Sequence, residues 1–179
     1  MTKLKMDVAK EFEQILKKYG RDVLFLRTDR KLYCECYNEV TQEASRECPV
    51  CLGLGWSYIA ERQTVKSETS MAAVQLPNVL KGVSIGDIAT AARKYFVLPS
   101  VQAKEKDLIV EVGWDDAGRP YYNNNGMWNI TYVDKSQFLG DQEIFRICYV
   151  NEAVVRTKIR GIRIAEINGV KQYSILMEE

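Results

Sequence analysis

The segment Leu32–Trp56, LYCECYNEVTQEASRECPVCLGLGW, holds four of the five cysteines of the chain. They form a C-x-C pair, Cys34 and Cys36, and a C-x-x-C pair, Cys48 and Cys51. Two short cysteine pairs brought together by a hairpin supply the four sulfurs that a tetrahedral Zn²⁺ site needs. Four protein thiolates leave no open coordination position, so a zinc ion bound here would build structure rather than activate water.

Three other interpretations of these cysteines stay open from the sequence alone: four ordinary buried thiols, two disulfides, or a redox-active C-x-x-C. Buried thiols rarely cluster in this way. A redox C-x-x-C usually opens a helix, whose dipole lowers a thiol pKa, whereas Gly53 and Gly55 follow the second pair and would end a helix early. Five cysteines without an export signal indicate a reducing compartment, which favours a metal over disulfides.

The composition bounds the class of protein. The chain has 179 residues, 46% of them hydrophobic, which is enough for one domain or for one domain with a small appendage. Its 25 Lys and Arg nearly balance 24 Asp and Glu, whereas a protein that coats nucleic acid usually has a strong basic excess. No apolar run is long enough to predict a membrane-spanning helix, and the N-terminal MTKLKMDVAKEFEQ is too charged for a secretory signal.

Catalysis finds little support in the sequence. The chain contains no histidine, which removes His-based triads and His general bases. It has no Gly-rich phosphate loop before a helix and no nucleophile elbow. The acidic pair Asp115–Asp116 predicts a turn, and the sequence singles out no partner carboxylates for metal or glycosidic chemistry. A small enzyme that uses carboxylates is therefore a weak third hypothesis, and the sequence indicates a binding or assembly protein, not an enzyme.

The expected fold class is α+β and mainly β. An N-terminal helix and a zinc-binding hairpin module are predicted over residues 1–75, joined to a small all-β barrel or sandwich over residues 76–179. The helix is predicted over residues 4–19, where apolar side chains recur at helical spacing before Gly20. Its apolar face could pack on its own domain or on a neighbouring subunit. Strands are predicted on both sides of the cysteines and at 95–98, 108–112, 128–133, 144–150, 162–164 and 173–176.

Three shorter features complete the prediction of the β domain. Arg119–Met127, with three asparagines and a glycine, predicts a solvated or partner-facing loop between strands. Asn168–Gly169 is typical of a two-residue hairpin turn, because both central positions need positive φ. The fifth cysteine, Cys148, falls in a predicted strand and is interpreted as an inert core thiol.

A basic cluster follows that thiol, and it has two interpretations. Its charges could simply lie in solvent on a strand or loop, or they could face DNA, with a salt-sensitive attraction to phosphates. The cluster consists of Arg156, Lys158, Arg160 and Arg163.

Two stretches of the chain carry a resemblance to known families. The helix, followed by YGRDVL at residues 19–24 and by CEC…CPVCLGLG, resembles the zinc-binding neck proteins of tailed bacteriophages. The order of YFVLP at 95–99, KDLIVEVGW at 106–114 and WNITYV at 128–133 is similar to the β-barrel head-completion proteins of the stopper, or head–tail joining, type. In that family the barrel docks as a ring beneath the portal or its adaptor, keeps packaged DNA in and presents a surface to the tail.

The resemblance implies a structural virion protein of the phage neck that forms a homo-oligomeric ring and passes through the host cytoplasm during assembly. Its partners would be portal or adaptor proteins, tail proteins and, as a further candidate, the packaged DNA. The resemblance assigns no site residues beyond the four cysteines, which would hold a structural zinc ion.

The cysteine motif also supports an alternative. CPVCLGLG resembles the cysteine-rich repeat of Hsp40 chaperones, which carry four such repeats where this chain has one and a C-x-C. A zinc-ribbon module that binds nucleic acid or associates with transcription is the second hypothesis. Such ribbons generally present basic or aromatic fingertips, whereas the segment between the pairs, YNEVTQEASRE, is net acidic.

Overall fold

A computed structural model describes residues 7–45, 48, 50–52, 55–69, 93–153, 159–167 and 170–177. This part of the chain is mainly β with one α-helix, which confirms the predicted fold class. In chain order the elements are α1 Val8–Tyr19, β1 Arg21–Tyr33, β2 Tyr37–Asn38, β3 Glu43–Ala44, β4 Trp56–Thr69, β5 Arg93–Val97, β6 Leu108–Trp114, β7 Pro120–Asp134, β8 Phe138–Leu139, β9 Gln142–Glu143, β10 Arg146–Glu152, β11 Ile159–Ile167 and β12 Val170–Met177.

Helix α1 begins after Asp7, whose side chain caps it by accepting a backbone hydrogen bond. The start predicted at residues 4–6 lies outside the described part of the chain. Leu16 is buried, and the Phe12 ring stacks on Phe145 with 4.7 Å between centroids. One face of the helix therefore packs on residues of its own chain.

No helix in the described ranges combines the length and the apolar character needed to cross a membrane.

Six strands close into an antiparallel barrel. Neighbouring strands follow the order β1-β6-β7-β10-β5-β4, and a pairing of β1 with β4 closes the circle. Strands β12 and β11 extend the sheet beyond β4. In β1, residues Val23–Leu26 are buried and pair with Leu108–Glu111 of β6. The two predicted strands on either side of the cysteines are thus confirmed, and they are adjacent strands of the barrel.

The cysteine segment contributes directly to an apolar core. Leu52, which follows the second cysteine pair, is 6% exposed and belongs to a cluster of buried side chains drawn mainly from barrel strands and from β12. Its members are Leu24, Leu26, Leu52, Ala60, Leu108, Val110, Val112, Met127, Tyr173, Ile175 and Met177. Burial of side chains of this size stabilises a fold by about 1.5–3 kcal/mol each.

The chain divides into two compact units. One contains residues 1–21, 64–105 and 130–151, and the other contains 22–63, 106–129 and 152–179. Each unit is therefore assembled from three separated stretches of sequence. The boundary predicted between residues 75 and 76 lies outside the described residues and stays a prediction.

The prediction of a loop at Arg119–Met127 is wrong. Strand β7 begins at Pro120, and Tyr122 pairs with Val112 of β6. The next described pair is Met127 with Val110, so residues 123–126 form a bulge opposite a single residue of the partner strand. Asparagine and glycine favour loops locally, but the ladder on both sides of the bulge holds this segment in the sheet.

Two other predictions for the β region, the turn at Asp115 and the core position of Cys148, are confirmed. The pair Asp115–Asp116 starts a turn, in which the Gly118 amide donates to the Asp115 carbonyl oxygen at 2.8 Å. Cys148 lies in β10 and is fully buried. The predicted turn Asn168–Gly169 is outside the described residues, yet Ile167 and Val170 on either side of it pair across β11 and β12.

Candidate metal centre

The four predicted ligands lie in the connection between two adjacent barrel strands. Cys34 follows the last residue of β1, and Cys36 immediately precedes β2. Cys48 and Cys51 come after β3 and before β4. The short β2–β3 hairpin, in which Tyr37 pairs with Ala44, turns the chain back so that the second cysteine pair returns to the first.

The four sulfur atoms converge. All lie within 4.8 Å of one another, with 3.7 Å between the Sγ atoms of Cys34 and Cys48 and 3.4 Å between those of Cys36 and Cys51. A tetrahedron of thiolates around a metal, each at about 2.3 Å, has sulfur–sulfur edges of about 3.8 Å. The cluster therefore fits a metal ion, and it does so without disulfides, because every cysteine is a free thiol.

Backbone hydrogen bonds hold the cysteines in this arrangement. The Cys34 amide donates to the Gly55 carbonyl oxygen at 3.0 Å, which ties the end of β1 to the start of β4. The Leu52 amide closes a turn on the Cys48 carbonyl oxygen at 3.0 Å. The Gly55 amide in turn donates to the Cys51 sulfur at 3.3 Å.

Glycine is needed at position 55 for two reasons. Its φ is +77°, in the left-handed region that side chains rarely adopt. An added Cβ would also lie 3.0 Å from the Tyr37 ring and 3.1 Å from the Ala44 side chain. Gly53, the other glycine after the second cysteine pair, lies outside the described residues.

The surroundings of the thiols shift their pKa values in opposite directions. Burial raises the pKa of Cys36 and of Cys51, although the Gly55 amide opposes the rise at Cys51. At Cys48, burial also favours the neutral thiol, but hydrogen bonds with the backbone amides of Cys51 and Val50 and with the Cys36 and Cys34 side chains together lower the pKa to about 7. Metals bind thiolates, and the lowered pKa of Cys48 favours its thiolate near neutral pH.

Three aromatic residues, which the sequence reading missed as part of the centre, pack beside it. The Tyr33 ring stacks on Trp56 with 4.2 Å between centroids and on Tyr37 with 4.4 Å. Tyr33 is the last residue of β1 and Trp56 the first of β4, so this stack joins the two strand ends that carry the cysteine segment. The available signal was their position, since Tyr33 immediately precedes Cys34, Tyr37 immediately follows Cys36 and Trp56 immediately follows Gly55.

The candidate DNA-facing residues are only partly described. Arg160 and Arg163 lie on β11, and both are exposed. Arg156 and Lys158 fall in the interval 154–158, outside the described residues.

The chain thus has two adjacent barrel strands joined by a segment whose four clustered cysteines could hold a metal ion. A scan against protein-family models and a search of curated proteins each gave no match.

Proposed function

We propose that this chain is a structural, non-enzymatic protein of the bacteriophage neck, where a ring of identical subunits closes the DNA-filled head and presents a docking surface for the tail. The observation that carries the proposal is the cysteine cluster inserted between adjacent strands of a small β-barrel. The resemblance to neck proteins depends on a cysteine motif and on the order of barrel segments, and this chain has a cysteine cluster and a barrel in one structure. The protein would act in the virion and pass through the host cytoplasm during assembly.

We propose zinc as the metal. Four thiolates in tetrahedral arrangement suit zinc or an iron centre, and zinc adds no redox chemistry to a site whose coordination sphere is filled by protein. Cys34, Cys36, Cys48 and Cys51 would be its ligands. The ion would cross-link the two ends of a segment that has only two-residue strands of its own, and structural zinc supplies an apparent free energy of about 10–16 kcal/mol in finger peptides.

The described surface of the cysteine segment favours this proposal over a zinc ribbon that binds nucleic acid. The exposed side chains of its hairpin include Glu35, Glu39 and Glu43, which would repel phosphates. Filter binding at low salt checks the alternative with the full chain. The ribbon would be favoured if Glu39→Lys strengthens nucleic-acid binding and replacement of the β11 arginines leaves that binding unchanged.

DNA contact is a separate part of the proposal. In a ring that surrounds DNA, Arg156, Lys158, Arg160 and Arg163 would line the channel. Replacing the four by Gln should leave particle assembly intact and lower DNA retention, measured as the fraction of filled heads. Unchanged retention would remove these residues from the proposal.

Particle incorporation is the direct test of the neck assignment. A tagged chain should be recovered with purified virions and labelled between head and tail in electron micrographs. Cys36→Ser should abolish incorporation because the cluster loses a ligand, whereas the matched variant Cys148→Ala, which removes the thiol outside the cluster, should still incorporate. Virions that lack the wild-type chain would contradict the assignment.

A further inference from the structure

The hairpin of the cysteine segment exposes an unusual amount of apolar surface. Of the eleven large apolar side chains exposed in the described residues, five lie in this segment or on the flanking strand ends: Leu32, Tyr33, Val40, Val50 and Ile59. Val40, between β2 and β3, is 93% exposed. The Asn38 side chain accepts hydrogen bonds from the Val40 and Thr41 amides at 2.9 and 3.3 Å, which fixes Val40 at the tip of the hairpin.

The same hairpin is acidic. Glu35, Glu39 and Glu43 are exposed and form no ion pair with any side chain that the structure describes. The wider segment, residues 32–59, contains four glutamates and a single arginine. Four thiolates around a divalent zinc ion would add two further negative charges.

Helix α1 also exposes an apolar surface, but the charges around it are basic. Ile15 and Tyr19 are 42% and 64% exposed and stand four residues apart, so they share one face of the helix. Lys17 and Lys18 flank them in the last turn, exposed and without an ion-pair partner among the described residues. Residues 1–21 together contain six Lys and Arg against three Asp and Glu.

We infer that the β2–β3 hairpin of one subunit docks on the C-terminal turn of α1 in a second copy of this chain. Val40 would contact Ile15 and Tyr19, while Glu39 and Glu43 would face Lys17 and Lys18. The second copy is the occupant that both observations support, because one chain carries an acidic apolar tip and a basic apolar helix face. A contact between two different surfaces is heterologous and closes into a ring when the rotation permits. This inference rests on the ring of the proposed function.

Charge exchange tests the contact with the zinc-loaded full chain. The variants are Glu39→Lys with Glu43→Lys, Lys17→Glu with Lys18→Glu, and all four changes together. Native mass spectrometry, which reports zinc content and subunit number in one spectrum, should show wild-type oligomers. Each reversal alone should raise the subunit dissociation constant about tenfold or more because like charges then face one another, and the fourfold variant should restore it.

A matched control separates this contact from general loss of charge. Arg160→Glu with Arg163→Glu reverses two exposed arginines of β11 outside the proposed contact and should leave oligomers unchanged. Val40→Ser should weaken them without altering charge.

The outcomes distinguish the contact from the function it rests on. Oligomers that persist in both charge-reversal variants would overturn the contact and leave the ring standing. Oligomers lost only in the β11 control would overturn it by placing the acceptor on β11. A zinc-loaded wild-type chain that stays monomeric would overturn the contact and the ring together, while a chain without zinc would contradict the proposed metal centre.

Discussion

Gly20, between α1 and β1, shows how a single residue sets a chain reversal. It ends the helix as predicted, but its φ of −76° is extended rather than left-handed. Its amide donates to the Leu16 carbonyl oxygen at 2.8 Å, and an added Cβ would lie 2.3 Å from that same oxygen and 2.9 Å from a methyl of Thr64. Close approach of backbone therefore explains the glycine, and a sequence cannot reveal such an approach.

We expect Gly20→Ala to destabilise the protein. Overpacking costs about 1–3 kcal/mol, which exceeds the roughly 0.4–1 kcal/mol that alanine gains by restricting the unfolded chain. The midpoint of urea unfolding should fall. Gly161→Ala is the matched control, because a Cβ there meets nothing within 4 Å, and its midpoint should stay level or rise. Equal midpoints in the two variants would contradict the close approach at Gly20.

The pair Glu143 and Arg146 predicts a pH dependence. Two hydrogen bonds of 2.7 and 2.8 Å join the guanidinium to the carboxylate, and they lower the pKa of Glu143 against the opposing effect of burial. A carboxyl group whose pKa is lower in the folded state stabilises the fold above its unfolded pKa and loses that contribution as the pH falls through the folded value. We expect Glu143→Gln to cost about 1 kcal/mol at neutral pH and progressively less below about pH 4.5.

Thermal unfolding between pH 7 and pH 3 measures this convergence. The control is Glu13→Gln, which changes an exposed residue of α1. Its stability should follow that of the wild type across the pH range. A constant gap between wild type and Glu143→Gln across that range would show that the pair contributes nothing that titrates.

At the scale of elements, strands were predictable where local apolar runs mark them. Val23–Leu26 and Trp56–Ala60 are both strands, but nothing in either run shows that β1 and β4 are neighbours that close a barrel. Pairing between strands distant in sequence depends on the whole chain rather than on local propensity. The same limitation explains the error at Arg119–Met127, where loop-forming residues lie in a bulged strand.

The four cysteines were predictable as a cluster because ligand spacing is a local pattern, whereas their aromatic neighbours were not. Tyr33 and Trp56 approach only because the ends of β1 and β4 lie side by side.

We expect Trp56→Leu to lower zinc affinity about tenfold, because groups outside the ligand set that orient a metal site typically contribute 10–100-fold. Competition with a chromophoric chelator measures the change. Tyr121→Leu, at an exposed aromatic of β7, should bind zinc like the wild type, and an unchanged affinity in Trp56→Leu would exclude the stack from the site.

At the scale of the whole molecule, both compact units draw on separated stretches of sequence, which a linear reading could not foresee. The cysteine segment and the adjoining parts of β1 and β4, within residues 22–63, belong to one of them. We expect chelation to accelerate amide hydrogen exchange in residues 34–56, because the zinc ion would close this segment. The pairing of β5 with β10 lies in the other unit, and its amides should keep their protection. Uniform loss of protection in both units would mean that the metal stabilises far more than the segment that contains it.

If Cys34, Cys36, Cys48 and Cys51 hold one zinc ion, native mass spectrometry before and after a strong chelator will detect it. We expect a mass increase of a single zinc per chain that the chelator removes, that Cys148→Ala retains and that Cys36→Ser lacks. A wild-type chain purified under reducing conditions with free thiols and no metal, and unable to take up added zinc, would contradict it and reduce the four cysteines to core packing.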